Sequence, residues 1–153
     1  MSDIRLTWNI FAADFSILAN DLETDDGLET SVLVSLFTDR RANTDDVIPD
    51  GTDDRRGSWQ DSFLETAGDL GGSRLWLLSR EKQQQNVLDR AVEYAREALQ
   101  WMIDDRVSER IDVTAEIVRT GVLGLLVVIH RPRKAASEFR YDINWQAQQA
   151  RAA

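Results

Sequence analysis

Cysteine is absent from the 153 residues, histidine occurs once and proline twice. Without thiols the chain forms no disulfide, carries no thiolate nucleophile and builds no thiolate metal site. That composition suits a reducing cytoplasm, where disulfides are not maintained. The lone imidazole, His130, stands beside Arg131 and Pro132 at the end of an apolar run. No nucleophile-elbow pattern accompanies it, so a Ser-His-Asp arrangement is not expected and His130 reads as a strand-end residue. Positive charge is also short: 18 Lys and Arg face 27 Asp and Glu, a formal charge of -9. Nucleic acid is thereby excluded as a main partner, because phosphate binding needs a basic face. Long apolar runs are missing too. The longest, Gly121 to Ile129, is far too short for a membrane-spanning helix. The opening "MSDIRLTWNI" has no signal-peptide pattern, so no membrane association is expected.

What is present is best read in order. Ile4, Leu6, Trp8 and Ile10 alternate with polar neighbours, the period of a half-buried strand. The acidic "ANDLETDDG" then reads as a loop. Apolar residues at Leu28, Val32, Leu33, Leu36 and Phe37 share one helical face, with Asp25 or Asp26 as the expected N-cap. An irregular stretch over 38–58 follows, turned at Pro49-Asp50-Gly51. A short helix is expected at "WQDSFLETA", and a dense apolar patch at Leu75–Leu78. The clearest element is a long helix from about Arg80 to Asp105, where Leu88, Ala91, Val92, Ala95, Leu99, Met102 and Ile103 recur every three or four residues. Three strands close the chain. Ile111, Val113, Ala115 and Ile117 alternate; "RTG" turns; Leu126 to Ile129 is continuously apolar, as in a strand covered on both faces. Phe139, Tyr141, Ile143 and Trp145 line the third.

The fold class is therefore α+β: a long amphipathic helix packed on a small antiparallel sheet formed largely by the C-terminal strands. The length suits one domain. It would comprise an N-terminal strand and acidic loop over 1–27, helices and an Arg/Asp loop over 28–106, and antiparallel strands with a tail over 107–153.

The stretch from Ser35 to Phe63 is the chemical puzzle, with two Asp-Arg-Arg triplets, Asp39–Arg41 and Asp54–Arg56. An EF-hand needs alternating oxygen ligands, Gly at the sixth position and Glu at the twelfth. Aligning Gly51 puts Ile48 at the third position and Gly57 at the twelfth; aligning Gly27 puts Leu22 first and Leu33 twelfth. Both registers fail, so no metal is expected. Paired-carboxylate catalysis needs two acids in different environments, whereas nearly every acidic cluster here has arginine beside it. Arginine pairs well with carboxylate, which favours an ion-paired loop latched onto its own domain or a neighbour. "GDLGGSR" lacks the Gly-Lys-Ser/Thr of a phosphate loop. Trp59, Trp76, Trp101 and Trp145 read as core or interface anchors. The residues alone describe an interaction or structural protein without catalytic residues or cofactor.

Two long motifs carry a resemblance. "SLFTDRRANTDDVIPDGTDDRRGSW" followed by "GDLGGSRLWLLSREK" resembles the Mu-like phage baseplate protein family, which is related to the small wedge proteins, or sheath initiators, of contractile tails. The similarity runs over about residues 28–131. The broader wedge family has a Glu-Pro-Arg motif after its long helix; here that place is "DDRV", with Asp104 and Arg106 in the acid and arginine positions and Asp105 replacing the proline. The resemblance implies structural work in the virion tail baseplate, assembled in the host bacterial cytoplasm and present in multiple copies. Implied partners are other wedge proteins, the tail sheath protein, and hub, spike or tube proteins. Sheath segments would add to the strands at 110–118 and 122–131 by β-augmentation. The residues expected to meet partners are Arg40, Arg41, Arg55, Arg56, Trp59, Asp104, Arg106, Val113, Thr114 and Ala115. Two other classes fit the composition: a tail-associated, carboxylate-dependent wall hydrolase, and a regulatory protein-binding module.

Overall fold

The computed structural model describes residues 27–57, 71–79 and 85–144, together with the backbone of six short strands before Gly27. Those strands are β1 (Asp3–Ile4), β2 (Leu6–Trp8), β3 (Ala13–Phe15), β4 (Ile17–Leu18), β5 (Asp21–Leu22) and β6 (Thr24–Asp25). They pair antiparallel as β1 with β6, β2 with β3 and β4 with β5. The expected first strand thus exists in two pieces, and the segment read as an acidic loop includes β5 and β6.

Helix α1 spans Leu28–Phe37 and buries Leu28, Val32, Leu33, Ser35 and Leu36. Its N-cap is Gly27, at φ 85, with no side-chain capping bond. The aspartates expected there are not the cap. A left-handed residue turns the chain into the helix instead, a conformation that glycine adopts without steric cost. A single 3-10 turn at Leu75–Leu78 buries all four of its side chains. Helix α2 runs Gln85–Asp104; the expected start near Arg80 and the expected helix at 59–67 lie outside the described residues.

The buried set of α2 is Val87, Ala91, Tyr94, Ala95, Ala98, Leu99 and Met102. Leu88 and Val92 are only half-buried against this core. The buried stripe is therefore wider than the periodicity implied, because α2 packs on the sheet and also meets α1 and the 3-10 turn.

Strands β7 (Arg110–Arg119), β8 (Val122–His130) and β9 (Ser137–Asn144) form an antiparallel sheet in the order β7-β8-β9. Its register sets Val113 opposite Val127 and Val127 opposite Phe139. Thr120 and Gly121 alone join β7 to β8, with Gly121 at φ 80 and a register shift between Ile117 and Arg119. Gly121 lets the two-residue turn close tightly, and the register shift marks a β-bulge at Val118 on β7. Leu123, Leu125, Val127 and Ile129 are fully buried on the inner face, against the helices; on the outer face Val122 and Gly124 are buried and Leu126 and Val128 are half-buried. Trp145 lies outside the described residues.

Candidate functional site

Two regions collect the charged and interaction-prone residues. In the first, the chain leaves α1 and runs beside the 3-10 turn. Asp39 and Ser73 form an isolated parallel bridge. Arg40 N donates to Ser73 O at 2.9 Å and Ser73 N to Thr38 O at 2.8 Å. The two segments approach so closely that a Cβ on Gly72, at φ 84, would lie 2.3 Å from Thr38 O. Only glycine fits there.

Arg74 follows at once, and it is buried although charged. Its Nε donates to Glu97 Oε2 at 2.9 Å, and its Nη1 donates to both Asp46 oxygens, at 3.1 and 3.0 Å. The guanidinium also lies 4.5 Å from the centroid of the Tyr94 ring. Burial alone would weaken the charged form. The two carboxylates outweigh it through hydrogen bonds and attraction, and raise the guanidinium further above its already high range. The cation thereby fixes three distant segments, the loop at Asp46, the 3-10 turn, and α2 at Glu97.

The rest of the loop is stitched to this knot. Asp46 Oδ2 accepts from Asn43 N at 2.7 Å. Gly51 N closes the Pro49-Asp50 turn on Ile48 O at 3.1 Å, and Asp50 Oδ1 accepts from Thr52 N and Oγ1 at 3.0 and 2.7 Å. Arg55 donates to the carbonyls of Asn43 and Thr44. Arg56 Nη1 bonds Asp39 Oδ2 at 2.7 Å while its guanidinium lies 4.5 Å from the Trp76 ring centroid. The Trp76 indole N–H in turn donates to Arg40 O at 2.8 Å. The Arg40 backbone therefore belongs to the knot, whereas Arg41 is exposed and makes no ion pair with a described residue. Trp59 lies outside the described residues.

At the end of α2 the chain turns through Arg106, a non-glycine residue at φ 60. Val107 N donates to Met102 O at 2.8 Å and Arg106 N to Ile103 O at 3.0 Å, the bonding pattern of a Schellman cap. Asp104 accepts from Gln100 at 3.1 Å. No ion pair joins Asp104 to Arg106 among the described residues, and both are exposed. The handover from helix to strand is made by backbone capping.

The second region is the sheet. Val113 is buried, Ala115 half-buried and Thr114 exposed on the opposite face. No described strand pairs with the outer edge of β7 or of β9. Asp112 Oδ2 lies 2.9 Å from His130 Nε2 and 3.1 Å from Arg110 Nη2. The His130 hydrogen bond is the largest influence, followed by partial burial in the opposite sense and the charge of Arg110, and the net effect holds the Asp112 carboxyl below its ordinary range. Arg140 bridges to Glu116 at 3.0 Å and to Asp142 at 3.6 Å. No cluster that could hold a metal ion occurs among the described residues, and no described helix is long and apolar enough to cross a membrane.

Sequence reasoning missed Arg74, Asp46, Glu97 and Tyr94. One signal was available: Arg74 is the only charged residue between Gly71 and Ser79, beside a run of buried apolar side chains. A charge so placed needs partners.

A family profile described as "Phage protein GP46" matches residues 28–136. That span holds α1, the whole Arg74 knot, α2 and the β7–β8 hairpin. "Baseplate protein gp46" of Escherichia phage Mu is 45% identical over 132 residues, covering 86% of this chain and 89% of that protein. "Mu-like prophage FluMu protein gp46" of Haemophilus influenzae is 36% identical over 145 residues, covering 95% of this chain and 98% of that protein.

Proposed function

The chain belongs to the Mu-like phage baseplate protein family, and from that premise we propose that it is a structural, non-catalytic subunit of a phage tail baseplate. The observation that carries this reading is the 45% identity to the Mu baseplate protein over nearly the full length of both chains. In the finer form of the proposal it sits in multiple copies around a contractile tail, joins wedge subunits, and starts sheath polymerisation. Its partners are other wedge proteins, the sheath protein, and neighbouring hub, spike or tube proteins; assembly takes place in the bacterial host before release in the virion.

The sheet supports the sheath-initiating step. The inner face of β7 is held by α2, so an incoming strand can pair with its edge without displacing core residues. Main-chain hydrogen bonds would supply the affinity. The arginine loop supports a different role. Arg55, Arg56 and Arg74 spend their donors within the chain, which favours an internal latch over a clasp between subunits.

Proline scanning of the edge tests the proposal. Along an edge strand, consecutive amides alternate between the neighbouring strand and the outside. Of Thr114→Pro and Ala115→Pro, one therefore removes an internal ladder bond and the other an outward donor. The outward variant is expected to keep the native circular dichroism and lose sheath initiation on purified baseplates. Native folding with undiminished sheath initiation by that variant would refute the augmentation step.

A further inference from the structure

We infer that the flank of α2 overhanging the open edge of β7 is a groove for one amphipathic strand of a partner protein, a segment with an apolar side chain at every second position. The inference rests on the strand-addition reading of this edge and names the kind of strand it takes. The layers set the geometry. α2 packs on β7, an outermost strand of the sheet. α1 lies on the other side of α2, towards β9. The Phe37 ring of α1 meets Tyr141 of β9 edge-on, with centroids 5.4 Å apart, and Trp101 Nε1 of α2 donates to Ser35 Oγ of α1 at 3.0 Å. One flank of α2 therefore faces α1. The opposite flank faces outward over the β7 edge, with which no described strand pairs.

That outward flank is apolar. At about 100° per residue, Leu88, Val92 and Ile103 fall in one sector of α2, roughly opposite Trp101. All three are half-buried, and Leu88 and Val92 pack on the core while keeping part of their surface outside it. Arg96 and Gln100, next around the helix, are exposed and form a polar rim. The inner face of β7 repeats the pattern: Ile111, Ala115 and Ile117 are half-buried although they face the helix layer. The chain reverses between α2 and β7 through residues 105–109. Ile103 therefore lies towards the Ile111 end of β7 and Leu88 towards the Ile117 end. Single apolar residues on a surface are ordinary, but a roof and a wall of them along one open edge form a continuous feature.

The dimensions admit one strand. An α-helix is about 10–12 Å across, so α2 reaches about 5 Å beyond its own axis, and the next strand position lies about 4.8 Å outside β7. A strand paired there sits beneath the flank, and its inward side chains complete the burial of Leu88, Val92 and Ile103. From Leu88 to Ile103 the helix runs about 22 Å, the length of roughly six or seven strand residues, of which about half point inward. Main-chain bonds hold any sequence at an edge, and side-chain pockets choose among sequences. A strand polar on both faces would bring hydroxyls or amides under an aliphatic roof without partners, and is disfavoured.

The test uses the full chain and two synthetic peptides of about nine residues, each ending in Lys for solubility, one alternating Val with Thr and the other Ser with Thr. Fluorescence anisotropy should show the Val peptide binding roughly tenfold or more tightly than the Ser peptide. With the Val peptide bound, hydrogen exchange should slow on β7 and stay unchanged on β9. Ile103→Glu should bring the Val peptide down towards the Ser peptide while far-UV circular dichroism stays native. Val92→Thr keeps the side-chain shape and gives the same readout should Ile103→Glu lower the melting temperature. Equal binding of the two peptides would overturn the groove and leave strand addition standing. Binding of neither at millimolar concentration would overturn both. Protection on β9 instead of β7, Val-peptide binding indifferent to both variants, or occupation of the edge by a second copy of the chain in sedimentation would overturn the groove alone.

Discussion

The loop after α1 and the sheet after α2 are both rich in charge and dispose of it in opposite ways. Around the loop Arg55, Arg56 and Arg74 turn their donors back onto the chain. Arg74 is consumed by Asp46 and Glu97, Arg56 by Asp39 and the Trp76 face, and Arg55 by two carbonyls. In the sheet the charges lie on the surface in half-exposed pairs, such as Arg140 with Glu116, and no described strand pairs with either outer edge. Buried, interlocked charge fixes shape, whereas exposed charge and an open edge leave bonding capacity for something else. The comparison supports the proposal that the loop holds the protomer together while the sheet meets partners.

The strongest way to break that division is to remove the centre of the knot. Arg74→Ala strands two carboxylates whose side chains are 12% and 28% exposed. Removing one partner of a buried pair costs about 3–5 kcal/mol. Urea melts should show that loss, while any molecules that remain folded should still initiate sheath. Equal loss of initiation per folded molecule would merge the two regions into one functional unit.

Gly72→Ala comes next. A side chain there meets the Thr38 carbonyl and must hold a left-handed φ, at a cost of about 1–3 kcal/mol for the backbone conformation alone. Its melting temperature should fall without any change at the strand edge. Arg106→Gly sharpens the comparison from the other side. It relieves a left-handed non-glycine residue at the Schellman cap between the regions, and should raise stability by about 0.5–1 kcal/mol in the same melts. Loss of assembly despite that gain would show that the Arg106 side chain has a partner.

The smallest effect concerns pH. Asp112 is held below its ordinary range when folded, so its contribution is fully present above the unfolded value of about 3.9 and is lost as pH falls through the folded value. Thermal melts between pH 6 and pH 3 should steepen at the acid end in the wild type, and Asp112→Asn should flatten that part of the profile. An unchanged profile would mean the cluster with Arg110 and His130 contributes nothing.

The same contrast explains what was legible in the residues. Helix α2 and strands β7 to β9 were readable because their periods, three to four and two, repeat over many positions and burial enforces them. The knot was not. Arg74 meets Asp46 across 28 positions and Glu97 across 23, and no local rule pairs residues so far apart. Asp-Arg-Arg twice in one loop drew attention to the charges, yet the pivotal arginine lay outside both triplets, in a glycine-rich stretch before the 3-10 turn. The turn at Pro49-Asp50-Gly51 was legible because proline and glycine act on their own backbone. The N-cap of α1 was misread because Gly27 competes with two aspartates just before it and wins through its backbone freedom.

The separations around Arg74 also set a timetable. The β7–β8 hairpin closes over two residues and forms from local contacts, whereas the knot must first shut loops of more than twenty residues, whose closure entropy delays long-range contacts. In a chain made from its N-terminus, the edge strands emerge after α2, the helix that shields their inner face, is already available. The edge strands are therefore the last of these elements to appear, after every residue of the knot and after the helix that covers their inner face.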